Sequence, residues 1–207
     1  STDKAVNPIG VMGMTKRICE FMVTHFPKDK TAYSVVRFGN VMGSNGSLFT
    51  IWEKQIKTGK LDVTHPEMTR YFMSIQEAAM LILETLTMQN ESMFIFDMGK
   101  PLKIVDLAKL FIEHHGYETG KEVKLNFIGI REGEKLHEGL SHDDEELLQT
   151  KNVRIYAIKP RKAIYNNELA SQIKALESKV DQGKEEELRS ALKEILEKIG
   201  ASIKSPT

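Results

Sequence analysis

The chain has 207 residues, 41% of them apolar and 28% charged, enough for one domain or one and a half with a real core and an ordinary soluble surface. Lysine plus arginine and aspartate plus glutamate number 29 each, so charge gives no argument for nucleic acid or an anionic membrane as a partner. The lone cysteine, Cys19, excludes an internal disulfide and fits a reducing compartment, and no apolar run approaches the roughly 18 residues of a membrane-spanning helix.

The chain opens on a polar, ionisable cluster, Thr2-Asp3-Lys4, just ahead of residues 11–26, whose apolar positions 11, 14, 18, 21, 22 and 26 have helical spacing. Residues 31–43 form a β-rich run ending in Gly and Asn, a strand feeding a loop, and Gly43, Asn45 and Gly46 make that loop flexible and polar. A helix follows over 47–59, stopped by Gly59. Residues 61–74 read as extended with a turn at Pro66, and 75–88 as another helix. A short buried-type strand over 93–99, a helix over 104–115 and a strand over 123–128 come next. GIREGEKLHEGL, 129–140, reads as a polar loop running into a helix. Strands alternate with helices, so the fold class is α/β with at least partly parallel pairing.

The last forty or so residues change character. Leu169, Ile173, Leu176 and Val180 step by four, three and four, as do Leu188, Leu192, Ile195 and Ile199, and Gln182-Gly183 separates the two runs. This pattern predicts a helical hairpin within 161–207 with one apolar stripe per arm. The stripes suit either folding back on the chain's own domain or an oligomer contact.

Taken alone, Thr2, Asp3 and Lys4 have two readings. Ser-Thr-Asp is a good capping or turn sequence, and Lys4 can be a solvated charge. At the carboxyl end of a strand in an open α/β sheet, a hydroxyl, an acid and an amine could instead polarise an oxygen, donate a proton and accept one.

The stretch STDKAVNPIGVMGMTKR resembles the active-site segment of the extended short-chain dehydrogenase/reductase family, in particular its bacterial polysaccharide-biosynthesis branch of UDP-N-acetylglucosamine 4,6-dehydratases. VVRFGNVMGSNGSL (35–48), VTHPEMTRYFMSIQEAA (63–79), FIFDMGKPLKIVDLA (94–108) and GIREGEKLHE (129–138) match in order, so the resemblance covers about residues 1–160 and stops before the hairpin. It implies a fold in which residues 1–62 complete the C-terminal half of a Rossmann domain carrying the active-site helix. Residues 63–160 would then form a small α/β nucleotide-sugar-binding domain, and 161–207 the helical hairpin. It further implies NAD(P)-dependent oxidation at sugar carbon 4, loss of water across carbons 5 and 6, and return of the hydride to carbon 6, with no net redox change.

On that resemblance Thr2 would hydrogen-bond the oxygen on carbon 4. Asp3, with its pKa raised, would protonate the departing hydroxyl, and Lys4, with its pKa lowered, would be the base at carbon 5. Lys16 would bind the nicotinamide ribose, and Phe38 would pack against the nicotinamide. Met12 stands where many relatives carry a catalytic tyrosine. A thioether has no proton to exchange, and VMGMTKR fits the branch in which methionine is the ordinary residue; Lys16 through a water, or Lys4, would take the hydroxyl proton. Without the resemblance, Phe38 reads as a core aromatic and Asn40 as a turn residue at a strand end.

The sugar nucleotide would be held by Asn40, by Ser47 after the Gly-rich loop, by Thr69 and Arg70, and by Arg131 and Glu134, the arginines on the diphosphate and Glu134 on the ribose hydroxyls. Glu132 stands where relatives commonly have proline. His137-Glu138 lacks a companion at ligand spacing, and no metal is expected. No Gly-rich dinucleotide turn lies in the 207 residues, so the resemblance implies that the main NAD or NADP grip lies upstream and that this chain alone is inactive. It also implies a homo-oligomer. The longer protein would be cytoplasmic, held at the inner face of the inner membrane where an upstream region spans it. A UDP-sugar 4-epimerase of the same family, or an inert oligomerisation fragment, are the other readings; Asp3-Lys4 argues against the epimerase, which has no leaving hydroxyl to protonate.

Overall fold

The computed structural model describes residues 1–25, 31–44, 46–88, 91–143, 145–159 and 167–201. Phe26 of the first helical pattern, Asn45 of the Gly-rich loop, and residues 161–166 and 202–207 of the tail lie outside the described residues. The fold is mixed α/β and forms two compact, discontinuous units. One comprises Ser1–Phe38, Thr85–Asp97 and Gly139–Thr207, and the other Gly39–Glu84 and Met98–Glu138. The sequence divisions at 62/63 and 160/161 group residues by position, whereas contacts put 39–62 with the second unit and 139–159 with the first. Among the described residues no helix is long and apolar enough to cross a membrane.

The first unit is built on a four-stranded sheet in which β1 (Val35–Arg37) pairs in parallel with β6 (Met93–Phe96). β10 (Ile155–Ile158) then runs antiparallel to both β6 and β9 (Leu147–Gln149). All four β6 residues are buried, as its uninterrupted apolar run predicts. The polar loop at 129–140 does not run into the expected helix. Among the described residues of 129–146 there is no helix, only turns, irregular chain and an isolated bridge of His137 to Thr69; Gly129 and Gly133 take φ of 84° and 80°, and the chain proceeds into the β9–β10 hairpin. Left-handed glycines so close together break a helix before it can nucleate.

Helix α1 (Val11–His25) buries Met14, Ile18 and Phe21 in one cluster with Leu169, Leu192, Ile195, Leu196 and Ile199. These last come from α5 (Asn167–Asp181), from α6 (Glu185–Lys198) and, for Ile199, from the C-cap of α6; the two helices form the expected hairpin with Gly183 left-handed at φ 65° between them. The stripe pattern left two homes open; here the hairpin folds back onto α1 of its own unit. Val180, counted in the stripe, is 60% exposed, whereas Leu196, outside it, is fully buried.

The second unit centres on Trp52, Leu61, Val63, Met68, Ile104, Ala108 and Ile112. Its helices α2 (Leu48–Gln55) and α4 (Ile104–His114) surround β3 (Lys60–Val63), which pairs in parallel with β8 (Lys124–Phe127). Short pairs complete it, β2 (Asn40–Val41) with β5 (Phe72–Met73) and β4 (Thr69–Arg70) with β7 (Leu102–Lys103). Helix α3 spans Ile75–Thr85. Gly59 ends the segment after α2 at φ 73°, the stop the sequence predicts.

Candidate active site

Thr2 and Lys4 both turn to the carboxylate between them. The Thr2 hydroxyl donates to Asp3 Oδ1 at 2.8 Å, and Lys4 Nζ donates to the same oxygen at 3.0 Å. Asp3 is fully buried and, among the described residues, its Oδ2 has no hydrogen-bond partner. The backbone makes this geometry. Thr2 is the extended N-cap (φ −144°, ψ 153°) of a 3-10 turn at Asp3–Ala5, and its hydroxyl also receives the Lys4 amide at 3.4 Å. The capping reading and the chemical reading therefore describe the same residues.

Two anchors fix the turn. Thr2 bridges in parallel to Phe38, just past β1, and the Asp3 amide donates to Phe38 O at 3.2 Å, so the triplet lies at the carboxyl end of a sheet strand. The second anchor escaped the sequence reading. Gly13 lies in α1 against the Lys4 carbonyl, where a methyl group would overlap that oxygen and approach Pro8 Cβ to 3.1 Å. Glycine inside a helical pattern is unfavourable by about 1 kcal/mol relative to alanine, which was the available signal that something approaches closely. Met12 and Lys16 lie one turn apart on α1, both exposed. Phe38 is half-buried and stacks on Phe96, ring centroids 5.4 Å apart.

Beneath the triplet lies a buried ion network that the sequence gave no reason to seek. Glu20 of α1 accepts from the Ser1 hydroxyl at 2.7 Å and from Arg37 of β1 at 3.0 and 2.8 Å. Burial pushes the Glu20 carboxyl up, but the Arg37 hydrogen bonds and charge, with Ser1 and Arg17, outweigh it and leave its pKa below the ordinary value. A void of about 40 Å³ beside this network is lined by Arg17, Glu20 and Glu145 and holds none of the expected site residues.

The remaining expected residues belong to the second unit. Asn40, Ser47, Arg70 and Glu134 line one cavity of about 280 Å³, together with Phe49, Met68 and Phe72. That is close to the lower end of the roughly 300–1,000 Å³ typical of small-molecule sites, and the mixture of apolar wall and few polar groups is typical as well. Ser47 occupies the N-cap position of α2 without a side-chain bond to the helix backbone; its hydroxyl lies 3.2 Å from that of Thr50. Thr69 instead engages His137, Oγ1 to Nδ1 at 2.8 Å. Arg131 is exposed and forms a tight turn with Glu134: the Glu134 amide donates to Arg131 O at 3.0 Å, and the Arg131 amide donates to Glu134 Oε2 at 3.3 Å.

Fold and sites define an α/β protein with a buried acid flanked by a hydroxyl and an amine at a strand end, and a separate polar-apolar cavity in a smaller unit. Residues 1–160 match the family described as polysaccharide biosynthesis protein, and the chain belongs to that family, bearing out the resemblance read from its motifs. Staphylococcus aureus capsular polysaccharide biosynthesis protein CapD is 49% identical over 160 residues, 75% of this chain and 26% of that protein. A UDP-glucose 4-epimerase of Rickettsia bellii is 37% identical over 150 residues, 70% of this chain and 43% of that one. An inverting UDP-N-acetylglucosamine 4,6-dehydratase of Campylobacter jejuni is 31% identical over 185 residues, 86% of this chain and 53% of the dehydratase. The X-ray structure of Pen from Bacillus thuringiensis, 31% identical, superposes with a TM-score of 0.69 over 81% of this chain and 52% of Pen. The chain thus spans between about a quarter and a half of the length of these relatives.

Proposed function

We propose that this chain carries acid–base and substrate-binding parts of a nucleotide-sugar 4,6-dehydratase acting on UDP-N-acetylglucosamine for surface-polysaccharide synthesis. The observation that carries the reading is the buried Asp3, with one oxygen shared by Thr2 and Lys4 and the other without a partner among the described residues. A buried carboxyl oxygen with no donor is unfavourable in the free protein and is relieved by a ligand hydroxyl. In this reading the proton that Lys4 Nζ donates toward Asp3 Oδ1 at 3.0 Å passes to the carboxylate; the protonated Asp3 then protonates the hydroxyl leaving carbon 6, the neutral Lys4 amine removes the proton from carbon 5, and Thr2 holds the oxygen on carbon 4. An elimination needs both an acid and a base, and the two are adjacent here.

Hydride transfer in this class is supplied by a bound NAD or NADP. Of this chain's residues, the exposed ammonium of Lys16 and the half-buried ring of Phe38 have the chemistry to flank a nicotinamide riboside; Met12 offers no proton. In the second unit, Asn40, Ser47 and Glu134 line the cavity that would take the nucleotide, with Arg131 meeting the diphosphate from the adjoining turn. The first unit is the Rossmann side of this division and the second the nucleotide-sugar-binding side. A homo-oligomer and an inner-membrane setting belong to the same proposal. The similarity to 4-epimerases supports a second reading, reversible oxidation at carbon 4 without elimination.

The test uses a polypeptide in which these residues accompany a dinucleotide-binding unit, supplied with UDP-N-acetylglucosamine and NAD(P)+. Proton NMR of the product should show a new methyl signal at carbon 6, absent in Asp3→Asn and Lys4→Met. An epimerised product with no methyl signal selects the second reading, and no reaction with either outcome overturns both.

A further inference from the structure

Among the described residues, Asn7 alone of the non-glycines has a positive φ, 43°. The residue before a proline is ordinarily extended, and Pro8 follows directly. Asparagine enters the left-handed region more readily than most side chains, but only as one of several conformations, so a contact must select it. The bend sits between the acid–base turn and its helix. The Val6 amide closes the Asp3–Ala5 turn on Asp3 O at 3.0 Å, Asn7 comes next, and α1 starts at Val11.

The selecting contact is His142. Its Nδ1 lies 2.9 Å from Asn7 Oδ1, and because an amide oxygen only accepts, Nδ1 carries the proton. His142 is 4% exposed and is held from behind: its amide donates to Glu145 Oε2 at 2.9 Å, and the Glu145 amide donates to His142 O at 3.1 Å. Glu145 is bound by Arg37 of β1, and Phe38, the next residue, accepts the Asp3 amide. Bonds and chain thus close a ring around the turn: Asp3, Asn7, His142, Glu145, Arg37, Phe38 and back to Asp3. A buried histidine needs a partner in any fold; this one takes the side chain of the bent residue, 135 positions away. We infer that His142 is a positioning residue for the acid–base pair: by holding the Asn7 side chain it fixes the left-handed bend, and the bend sets the aim of Asp3 and Lys4. The inference rests on the acid–base reading of Thr2, Asp3 and Lys4.

The experiment follows amide hydrogen exchange in this chain, and turnover of UDP-N-acetylglucosamine in the longer polypeptide that includes a dinucleotide-binding unit. His142→Leu should speed exchange about tenfold at Ala5 and Val6, whose amides close the turn, and leave Leu192 and Ile195 of α6 unchanged. It should lower kcat about tenfold and keep KM within about twofold, because acid and base are misplaced while the nucleotide grip is not. His142→Asn, whose side-chain amide puts a donor near the place of Nδ1, should restore both. Asn7→Gly separates backbone from side chain. Glycine takes the bend freely but offers His142 no acceptor, so it should loosen the turn as His142→Leu does, and the double variant should be no worse than either single one. Unchanged exchange at Ala5 and Val6, an unchanged kcat, or a His142→Asn no better than His142→Leu overturns the inference. Faster exchange spread evenly over the turn and α6 also overturns it, since that marks lost stability alone. If His142→Leu does not fold, Asn7→Gly decides by the same criteria. If the unsubstituted longer polypeptide forms no methyl product, the acid–base reading fails, and exchange at Ala5 and Val6 still decides whether His142 holds the turn.

Discussion

Arg37 and Glu145 lie 108 residues apart in the chain, and Nη1 of one is 2.7 Å from Oε2 of the other. Arg37 is fully buried, and its five N–H groups are all matched: Nε and Nη2 to Glu20, Nη1 and Nη2 to Glu145, and Nη1 also to Leu140 O. Arg17 Nη1 reaches Glu20 at 2.9 Å and Glu145 at 3.4 Å, so two guanidinium groups balance two carboxylates. The network ties α1, β1 and the 140–145 segment together under the Thr2–Lys4 turn.

Removing one member of such a set leaves a buried charge without its partner, which typically destabilises by about 3–5 kcal/mol. Arg37→Leu should lower the stability of the chain by that amount in urea unfolding at neutral pH, and Arg37→Lys should recover little, because the three donors of an ammonium cannot replace five N–H groups that pair with both carboxylates and Leu140 O in one fixed fork. A loss below about 1 kcal/mol for Arg37→Leu would contradict the network as described.

The same network sets an acid limit. Burial raises the Glu145 pKa, but the Arg37 hydrogen bonds and charge, with the His142 amide and ring, lower it further than burial raises it, and the outcome for Glu20 has the same direction. A carboxyl whose pKa is depressed by folding stabilises fully above its unfolded value, about 4.3, and loses that contribution as pH falls through the folded value. Urea midpoints should therefore be nearly level from neutral pH down to about 5 and drop steeply below about 4. Glu145→Gln should begin lower at pH 7 and fall less on acidification; an acid limb as steep as that of the unsubstituted chain would assign the titration to other groups.

Gly13→Ala should be destabilising although alanine is the better helix former. An added methyl would overlap the Lys4 carbonyl oxygen, so either the Asp3–Ala5 turn or α1 must shift. Helix propensity favours alanine by about 1 kcal/mol, and overpacking against backbone opposes it by about 1–3 kcal/mol. The expected result is a net loss of stability with altered amide shifts at Asp3, Lys4 and Phe38. Unchanged shifts with a gain in stability would show that the turn does not need the close approach.

What the sequence revealed was local. The periodicity of α1, α4, α5 and α6, the apolar run of β6 and the left-handed stop at Gly59 follow from spacing within a dozen residues, and each stands in the structure. Thr2-Asp3-Lys4 was legible because its three groups are adjacent. Arg37, Glu20 and Glu145 were not, because no spacing in a sequence marks an arginine whose partners lie 17 and 108 positions away. The β9–β10 hairpin was missed for a related reason: Leu147–Gln149 is short and exposed on every residue, with no alternation to read. The discontinuous units follow from the chain leaving the first unit after Phe38 and returning at Thr85, which contiguous segments cannot express.

The α5–α6 hairpin gives the last prediction because pattern and packing disagree within it. Leu192 is 1% exposed in the cluster with Met14, Ile18 and Phe21, whereas Val180, its equal by spacing, is 60% exposed. Truncating a buried leucine to alanine removes the transfer free energy of its methyl groups and leaves a cavity, about 2–5 kcal/mol in all. Leu192→Ala should lose that much in urea unfolding, and Val180→Ala should stay within about 0.5 kcal/mol of the unsubstituted chain. Met14→Ala combined with Leu192→Ala should depart from additivity, since the two side chains belong to one cluster across α1 and α6. Equal losses at positions 180 and 192, or strict additivity of Met14 and Leu192, would mean that the hairpin turns another face to α1 or does not dock on it, and the oligomer reading of its stripes would then return.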